Sequence, residues 1–266
     1  MTRAENKGTA VVTGASAGMG EVYADRLARQ GYDLILVARS EEGLARVAQQ
    51  VLDATGRRAE VLAADLADPV QLRRVEAVLR ARQDLTLLVN NAGVGSVAPL
   101  LGGDADAMER MIALNVTAPT RLSYALAPGM VERGGGAIVN VSSIVAVATE
   151  MMNGVYGATK SYVLAFTQSL LHEQGPKGLR VQAVLPGVTA TGFWDVLGHP
   201  LERLPADIVM NVDDLVDAAL AGLALGETVT IPGLHQGERW TAFEAARREL
   251  SGLFGNARPA ARYLPG

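Results

Sequence analysis

Short apolar runs alternate with helix-patterned stretches from residue 9 almost to the end of the chain. Residues 9–13, 33–38, 59–64, 85–89, 137–141, 179–185 and 229–231 read as strands. Between them, residues 21–30, 41–55, the stretch that follows Pro69, 105 to about 132 and 155 to about 173 read as helices, punctuated by Gly31, Gly56 and the Gly134-Gly135-Gly136 stop. From Val212, apolar residues at 212, 215, 216, 219, 220 and 223 share one helix face, and Asp213 and Asp214 suit its positive N-terminal end. Residues 241–253 form a last helical stretch. Strands alternating with helices predict βαβ units: an α/β protein with a doubly wound, mainly parallel seven-stranded sheet and helices on both faces. No linker, repeat or low-complexity tract interrupts the pattern, so one domain is expected over 1–266. Two places resist it. Pro119 falls inside 105–132, where local rules predict a kink or break, and residues 190–210, with Pro200 and Pro205, read as irregular.

Composition narrows the function classes. Hydrophobic residues are 49% and charged residues 20%, which excludes a disordered chain. A net charge of −4 argues against a general affinity for nucleic acid or for anionic membrane surfaces. Absence of cysteine excludes disulfides, thiolate nucleophiles and zinc–thiolate sites. Residues 1–8 are polar, unlike a secretion signal, and no apolar run approaches the ~18 residues of a membrane span. A cytoplasmic protein is therefore expected, and the sequons at Asn115 and Asn140 read as accidental.

Three constellations carry chemistry. The first is Thr13-Gly14-Ala15-Ser16-Ala17-Gly18-Met19-Gly20, between the first strand and the first helix. Glycines there let backbone amides approach a diphosphate, whose charge the helix N-terminus favours. The same residues spell G-x-S-x-G around Ser16, the turn that carries a hydrolase nucleophile. Position weighs against that alternative: only thirteen residues precede Gly14, too few for an oxyanion loop, and of the three histidines, His172, His199 and His235, the first lies mid-helix and the second precedes Pro200 in a loop. The second constellation is the end of the second strand. Where a dinucleotide site often has a carboxylate for the ribose hydroxyl, this chain has Ala38-Arg39-Ser40, and Asp33 stands at the wrong end. An arginine there attracts a 2′-phosphate, which points to NADP over NAD. The third is Tyr156-Gly157-Ala158-Thr159-Lys160, which puts a phenol and an amine on one helix face. An ammonium beside the phenol is expected to lower its pKa and tune it as a general acid or base.

Together these residues resemble the short-chain dehydrogenase/reductase family, whose fold is a Rossmann domain. The matching pieces are Thr13-Gly14-x-x-x-Gly18-x-Gly20, Asp65-Leu66, Asn90-Asn91-Ala92-Gly93, Asn115, Ser142-Ser143, Tyr156-x-x-x-Lys160 and Pro186-Gly187-x-x-x-Thr191, in family order from residue 9 to 191. The resemblance implies an NADP(H)-dependent oxidoreductase interconverting a ketone or aldehyde and an alcohol. Tyr156 would protonate the carbonyl oxygen. Lys160 would lower its pKa and bond the nicotinamide ribose, and Asn115 would hold a water behind Lys160. Ser143, thirteen residues before Tyr156, would bond the substrate oxygen in preference to Ser142. Gly14, Ser16, Gly18, Met19, Gly20 and Arg39 would hold the diphosphate and 2′-phosphate side of the cofactor. Asp65 and Leu66 would flank the adenine, Asn91, Ala92, Gly93 and Pro186 would line the cofactor, and Val188 and Thr191 would meet its carboxamide and diphosphate. The cofactor carries the hydride, so no metal is required. Residues 8–191 would form the cofactor-binding and catalytic core, and 192–266 a substrate flap and C-terminal elements. Pocket candidates are Val94, Gly95, Ser96, Val145, Met151, Met152, Asn153, Phe193 and Trp194, which favour an apolar or aromatic part of a small carbonyl or alcohol substrate. A homodimer or homotetramer through helices 105–132 and 155–173 would follow from the resemblance. The competing reading on the same fold is a non-catalytic NADPH-binding sensor, which has no need of all four of Asn115, Ser143, Tyr156 and Lys160.

Overall fold

The computed structural model describes residues 6–152 and 154–264. In order, the elements are β1 Thr9–Thr13, α1 Gly18–Arg29, β2 Asp33–Ala38, α2 Glu41–Thr55, β3 Ala59–Ala63, α3 Pro69–Arg80, β4 Leu85–Asn90, α4 Ala105–Ile112, α5 Ala118–Glu132, β5 Gly136–Val141, α6 Gly154–Gln174, β6 Leu179–Val184, α7 Phe193–Val196, α8 Val212–Leu225, β7 Val229–Thr230 and α9 Gly237–Ser251. The seven strands form one sheet in the order β3-β2-β1-β4-β5-β6-β7, and every pairing is parallel. This is the doubly wound sheet the alternation predicts. The chain winds outward in one direction from β1 and in the other from β4, so the crevice between their C-terminal ends is the topological switch point where such sheets bind ligands.

The two-residue period of the strands sorts their side chains into two layers. Ala10, Val12, Leu34 and Leu36 face α1, α2 and α8 through Leu27, Leu44, Val47 and Leu215. Val11, Ile35, Val37 and Leu88 face α3, α5 and α6 through Leu72, Val75, Leu122, Met130 and Leu170. Both faces are thus dry. The helices start where the sequence supplies a cap: Ser40 accepts from the Gly43 amide, Asp68 from those of Val70 and Gln71, and Asn211 from that of Asp213. The second compact unit, Gly233–Gly266, carries α9, none of whose residues is buried.

Pro119 does not end the helical stretch 105–132. One wider turn of π type, Ala113–Thr117, separates α4 from α5, and Ala118 N–H reaches back to the Ala113 carbonyl. Pro119 then occupies the first turn of α5, where a missing N–H costs little.

Beneath α5 and α6 a buried polar chain crosses the sheet. Asn90 and Asn140 are register partners on β4 and β5. Asn90 Nδ2 donates to Asn140 Oδ1 at 2.8 Å, and Asn140 Nδ2 donates to Thr167 Oγ1 on α6 at 2.9 Å. Replacing Asn140 with Leu deprives the Asn90 amide of this acceptor and Thr167 of its donor. The expected cost is about 1–3 kcal/mol, read as a lower urea midpoint at unchanged slope; an unchanged midpoint would make the chain energetically idle.

Candidate active site

The cradle is built first. Thr13 ends β1, and its hydroxyl accepts the amide hydrogens of both Asn91 and Ala92, each at 3.0 Å, at the end of β4. Asn91 Nδ2 donates back to the Thr13 carbonyl at 2.9 Å. The turn after β1 is pressed against this staple. Gly14 has φ +67°, and a Cβ there would stand 2.9 Å from Ala92 Cα. A Cβ on Gly20 would stand 2.1 Å from the Gly14 carbonyl oxygen, so helix α1 starts this close only because residue 20 has no side chain. Ala17, which precedes α1, offers no side-chain cap, and the first amides of the helix remain available to an anion.

In front of this turn lies a cleft of about 770 Å³, lined by Gly14, Ser16, Arg39, Asp65, Leu66, Ala92 and Gly93. Arg39 is exposed at its edge, Arg110 also lines it, and Asp65 is the carboxylate on its wall. Among the described residues that line the cleft with Ser16 there is no histidine, so the serine-hydrolase arrangement finds no base there. Gly18 and Gly20 stand behind the cleft as backbone, Gly18 with its α-carbon facing the Thr191 side chain.

A second cavity of about 240 Å³ meets the first at Gly93 and Val94. Ser143, directly after β5, and Tyr156 and Lys160, on α6, line it together with Met19, Asn91, Pro186, Val188 and Thr191. Among the expected pocket residues, Val145, Met151, Met152, Phe193 and Trp194 line this cavity. Ser96 lines the larger cleft instead, its hydroxyl capping the Ala98 amide at 3.1 Å. Asn153 lies outside the described residues. The aromatic wall is continuous: Phe193 stands 6.1 Å from the Tyr156 ring and edge-on to Trp194 at 5.5 Å. The Phe193 ring lies over Gly95, where a Cβ would be 2.4 Å from its tip. His199 and Leu204, within the stretch expected to form the flap, also line the cavity. Sequence reasoning missed Val97, Ile144 and Thr189, apolar or small residues that left no signal in the sequence.

The four polar residues are differently engaged. Ser142 donates its hydroxyl to the Lys160 carbonyl at 2.7 Å and so serves α6. Ser143 hydrogen-bonds the Tyr156 phenol. Asn115, in the π turn, spends its side chain on structure: Oδ1 accepts from Val94 N–H at 2.9 Å, and Nδ2 donates to the Val94 carbonyl at 2.8 Å and to Thr159 Oγ1 at 3.1 Å. Both N–H groups of its side chain are thereby spent, while its main-chain carbonyl receives no N–H from Pro119, four residues on. Lys160 Nζ donates to the Val141 carbonyl at 3.0 Å and sits 5.8 Å from the centre of the Tyr156 ring.

The expected acidification of the phenol is not present in this state. Burial pushes Tyr156 up from 10 to about 12, against the opposing hydrogen bond of Ser143. Burial likewise pulls Lys160 down from 10.5 to about 8. With the amine drawn to the Val141 carbonyl, desolvation of each group outweighs their mutual influence.

A stability signature follows. Between about pH 8 and 10.5 the unfolded chain binds a proton at Lys160 that the folded chain does not, so this residue's penalty is complete below pH 8 and fades as pH rises. Lys160→Met removes the penalty. Its melting temperature, taken relative to the unaltered protein, is expected to fall steadily from pH 7 to pH 10 in thermal scans. A difference that is flat with pH would mean that the amine titrates as in water.

Comparison with known proteins agrees with this geometry. The short chain dehydrogenase family model matches residues 8–200. A solved short-chain dehydrogenase from Sphingobium yanoikuyae in complex with NADPH is 45% identical, with a TM-score of 0.93 over 96% of this chain and 100% of that one. The bulky-bulky ketone specific alcohol dehydrogenase from Comamonas testosteroni is 42% identical, with a TM-score of 0.91 over 98% of this chain and 100% of that one. Among curated proteins, the very-long-chain 3-oxoacyl-CoA reductase of Homo sapiens is 33% identical over 198 residues, 73% of this chain. The chain spans only 56% to 63% of the length of the first curated relatives it matches. With the sheet, the glycine turn and the Ser143–Tyr156–Lys160 cluster in place, the chain belongs to the short-chain dehydrogenase family of oxidoreductases.

Proposed function

We propose that this protein is an NADP(H)-dependent carbonyl reductase and alcohol dehydrogenase that uses Tyr156 as its acid and base. The observation that carries the reading is the hydrogen-bonded Ser143–Tyr156 pair, in a cavity that joins the larger cleft at Gly93.

The cleft fits the cofactor. It has room for an extended dinucleotide. Its floor is a glycine turn that any Cβ at Gly20 would fill, below the free amides of α1. Arg39, exposed at its edge directly after β2, supplies positive charge suited to a 2′-phosphate, at the place where a carboxylate would claim a free ribose hydroxyl. The Sphingobium yanoikuyae short-chain dehydrogenase, 45% identical, is an NADPH complex, which supports the same preference.

When bound, the nicotinamide supplies hydride to the carbonyl carbon. The chain's own residues handle the oxygen. Charge that develops there is met by two donors, the hydroxyls of Ser143 and Tyr156. A phenol that keeps its proton to about pH 12 is a donor throughout the neutral range. Lys160 stands next to it, as an amine that titrates near pH 8 and can lend positive charge as the phenol gives its proton up. Asn115 clamps the Val94 segment to α6 and so keeps the cavity at Gly93 open. Val141, Val145, Ile144 and Phe193 surround the reacting oxygen with apolar groups, which strengthens both hydrogen bonds.

The purified protein is expected to oxidise NADPH with members of a ketone and aldehyde panel. Tyr156→Phe should lower turnover by about 10²- to 10⁴-fold while still binding NADPH in a fluorescence titration. Full turnover by the variant would remove Tyr156 from this role, and NADPH binding without turnover of any carbonyl would make the protein a nucleotide sensor. Arg39→Ala should raise KM for NADPH by about 10- to 100-fold, the worth of charge-assisted hydrogen bonds to a phosphate, with little change for NADH. Equal effects on both nucleotides would place the 2′-phosphate elsewhere.

A further inference from the structure

The glycine turn is braced from outside the cleft. Arg46, on α2, stands apart from the residues that line the cleft, and its guanidinium reaches across to the turn and to α1. Nη1 donates to Glu21 Oε1 at 2.6 Å and to Gln50 Oε1 at 3.0 Å. Nη2 donates to Glu21 Oε2 at 2.8 Å and to the Ser16 main-chain carbonyl at 3.1 Å. The hydrogens of both terminal nitrogens are thus engaged, in a planar fork that an ammonium could not reproduce. α2 lies close to the turn here: a Cβ on Gly43 would stand 3.0 Å from Ser16 Cβ. The amides of the turn fall into two groups. Those of Gly14 and Ala15 donate to the Val37 carbonyl. That of Ala17 meets no acceptor among the described residues.

We propose that Arg46 is a positioning residue for the cofactor: by holding the Ser16 carbonyl it fixes the Ser16–Ala17 peptide, so that the turn offers N–H groups and not a carbonyl to the diphosphate. The inference rests on the reading of the cleft as a dinucleotide site and adds to it a residue outside the cleft. In a trans peptide the C=O and N–H point opposite ways, so tying the Ser16 carbonyl to Arg46 directs the Ala17 N–H away from that guanidinium. Rotation of this peptide plane would turn a carbonyl oxygen toward the anion, and the bond from Arg46 opposes it. The same guanidinium pairs with Glu21, a carboxylate in the first turn of α1 that otherwise adds negative charge where the diphosphate is to bind. A pair this open to solvent, 47% at Arg46 and 31% at Glu21, gives little to the stability of the fold. Its loss is therefore expected to register at the turn rather than in folding.

The test is Arg46→Met, which keeps an unbranched stem and removes every donor. NADPH and NADH are each titrated by fluorescence into the unaltered protein and the variant, and KM and kcat are measured with a ketone that the unaltered protein reduces. Expected is a rise in Kd and KM of about threefold to tenfold for both nucleotides, the worth of one hydrogen bond, with kcat within about twofold. The melting temperature of the nucleotide-free protein should barely move. Arg39→Ala, by contrast, acts on NADPH and spares NADH. The double variant Glu21→Gln/Arg46→Met separates position from charge: it is expected to retain most of the rise, because the Ser16 carbonyl stays untied. The proposal is overturned if Arg46→Met leaves both Kd values unchanged, if it lowers the melting temperature alone, or if its effect is confined to NADPH. It is also overturned if the double variant restores both Kd values in full, which would reduce Arg46 to a counter-charge for Glu21. Binding of neither nucleotide by the unaltered protein sinks the cofactor reading and this inference together, whereas binding that is indifferent to Arg46 sinks this inference alone.

Discussion

The hydroxyl of Thr13 accepts two backbone amides from the far side of the sheet's switch point, and the Asn91 amide returns the bond to the Thr13 carbonyl. At this place the strand order reverses and parallel neighbours diverge. Left alone, the ends of β1 and β4 would expose unpaired amides in the crevice. Tied together, they hold the glycine turn on one side and the Ala92–Gly93 segment on the other at a fixed separation. The cofactor cleft in front of the turn and the catalytic cavity at Gly93 both inherit that geometry. The glycines at 14 and 20 are the other half of the constraint: the staple draws the backbones together, and only residues without a side chain let them approach so far.

The second determinant is desolvation. The cluster that would move protons is nearly dry, and its groups answer as isolated groups in a poor solvent do, each shifted toward its neutral form. Pattern alone makes an opposite argument, that an amine at i+4 acidifies a phenol. That argument needs the amine to be charged and close. Here it is turned to the Val141 carbonyl, and burial discourages its charge. A negative phosphate or a polar ribose brought into the cleft changes the field that both groups feel, which makes the proton chemistry conditional on a ligand rather than a fixed property of the empty fold.

How much could be read in advance depends on where the information resides. The strands, their sidedness and the parallel sheet follow from apolar runs and helix periodicity, since these are local consequences of burial on two faces. Gly14, Gly18, Gly20, Tyr156 and Lys160 were legible because their spacing is set by one turn or one helix, whereas Ser143, on neither, was picked out only by its interval to Tyr156. Pro119 was legible as a disturbance but not as a π turn, because the extra residue is absorbed by a shift of hydrogen-bond partner that leaves no mark in composition. Ser96 was expected on the substrate side, yet its hydroxyl caps Ala98 and it lines the larger cleft. Val97, Ile144 and Thr189 could not be found at all, because they come from three separate segments that meet only after the sheet has formed.

That division also explains why cofactor and substrate are recognised by different kinds of structure. The cleft is made of strand ends and the first turn of a helix, whose amides have one geometry and suit one invariant ligand. The substrate side is made of the 94–101 segment, the 144–152 turns and the excursion between Ala190 and Met210. The ends of that excursion are pinned to each other by the bonds of Ala190 N–H to Met210 O and Met210 N–H to Val188 O. A loop anchored at its base and free along its length can change its side chains without disturbing the sheet. Phe193, seated over Gly95 and against Tyr156, is where the two systems touch. The ring packs on a position that has no side chain of its own, so its contact with the rigid half is a surface it can leave rather than an interlock. Side chains of the excursion can therefore vary while Ser143, Tyr156 and Lys160 keep the places that β5 and α6 give them.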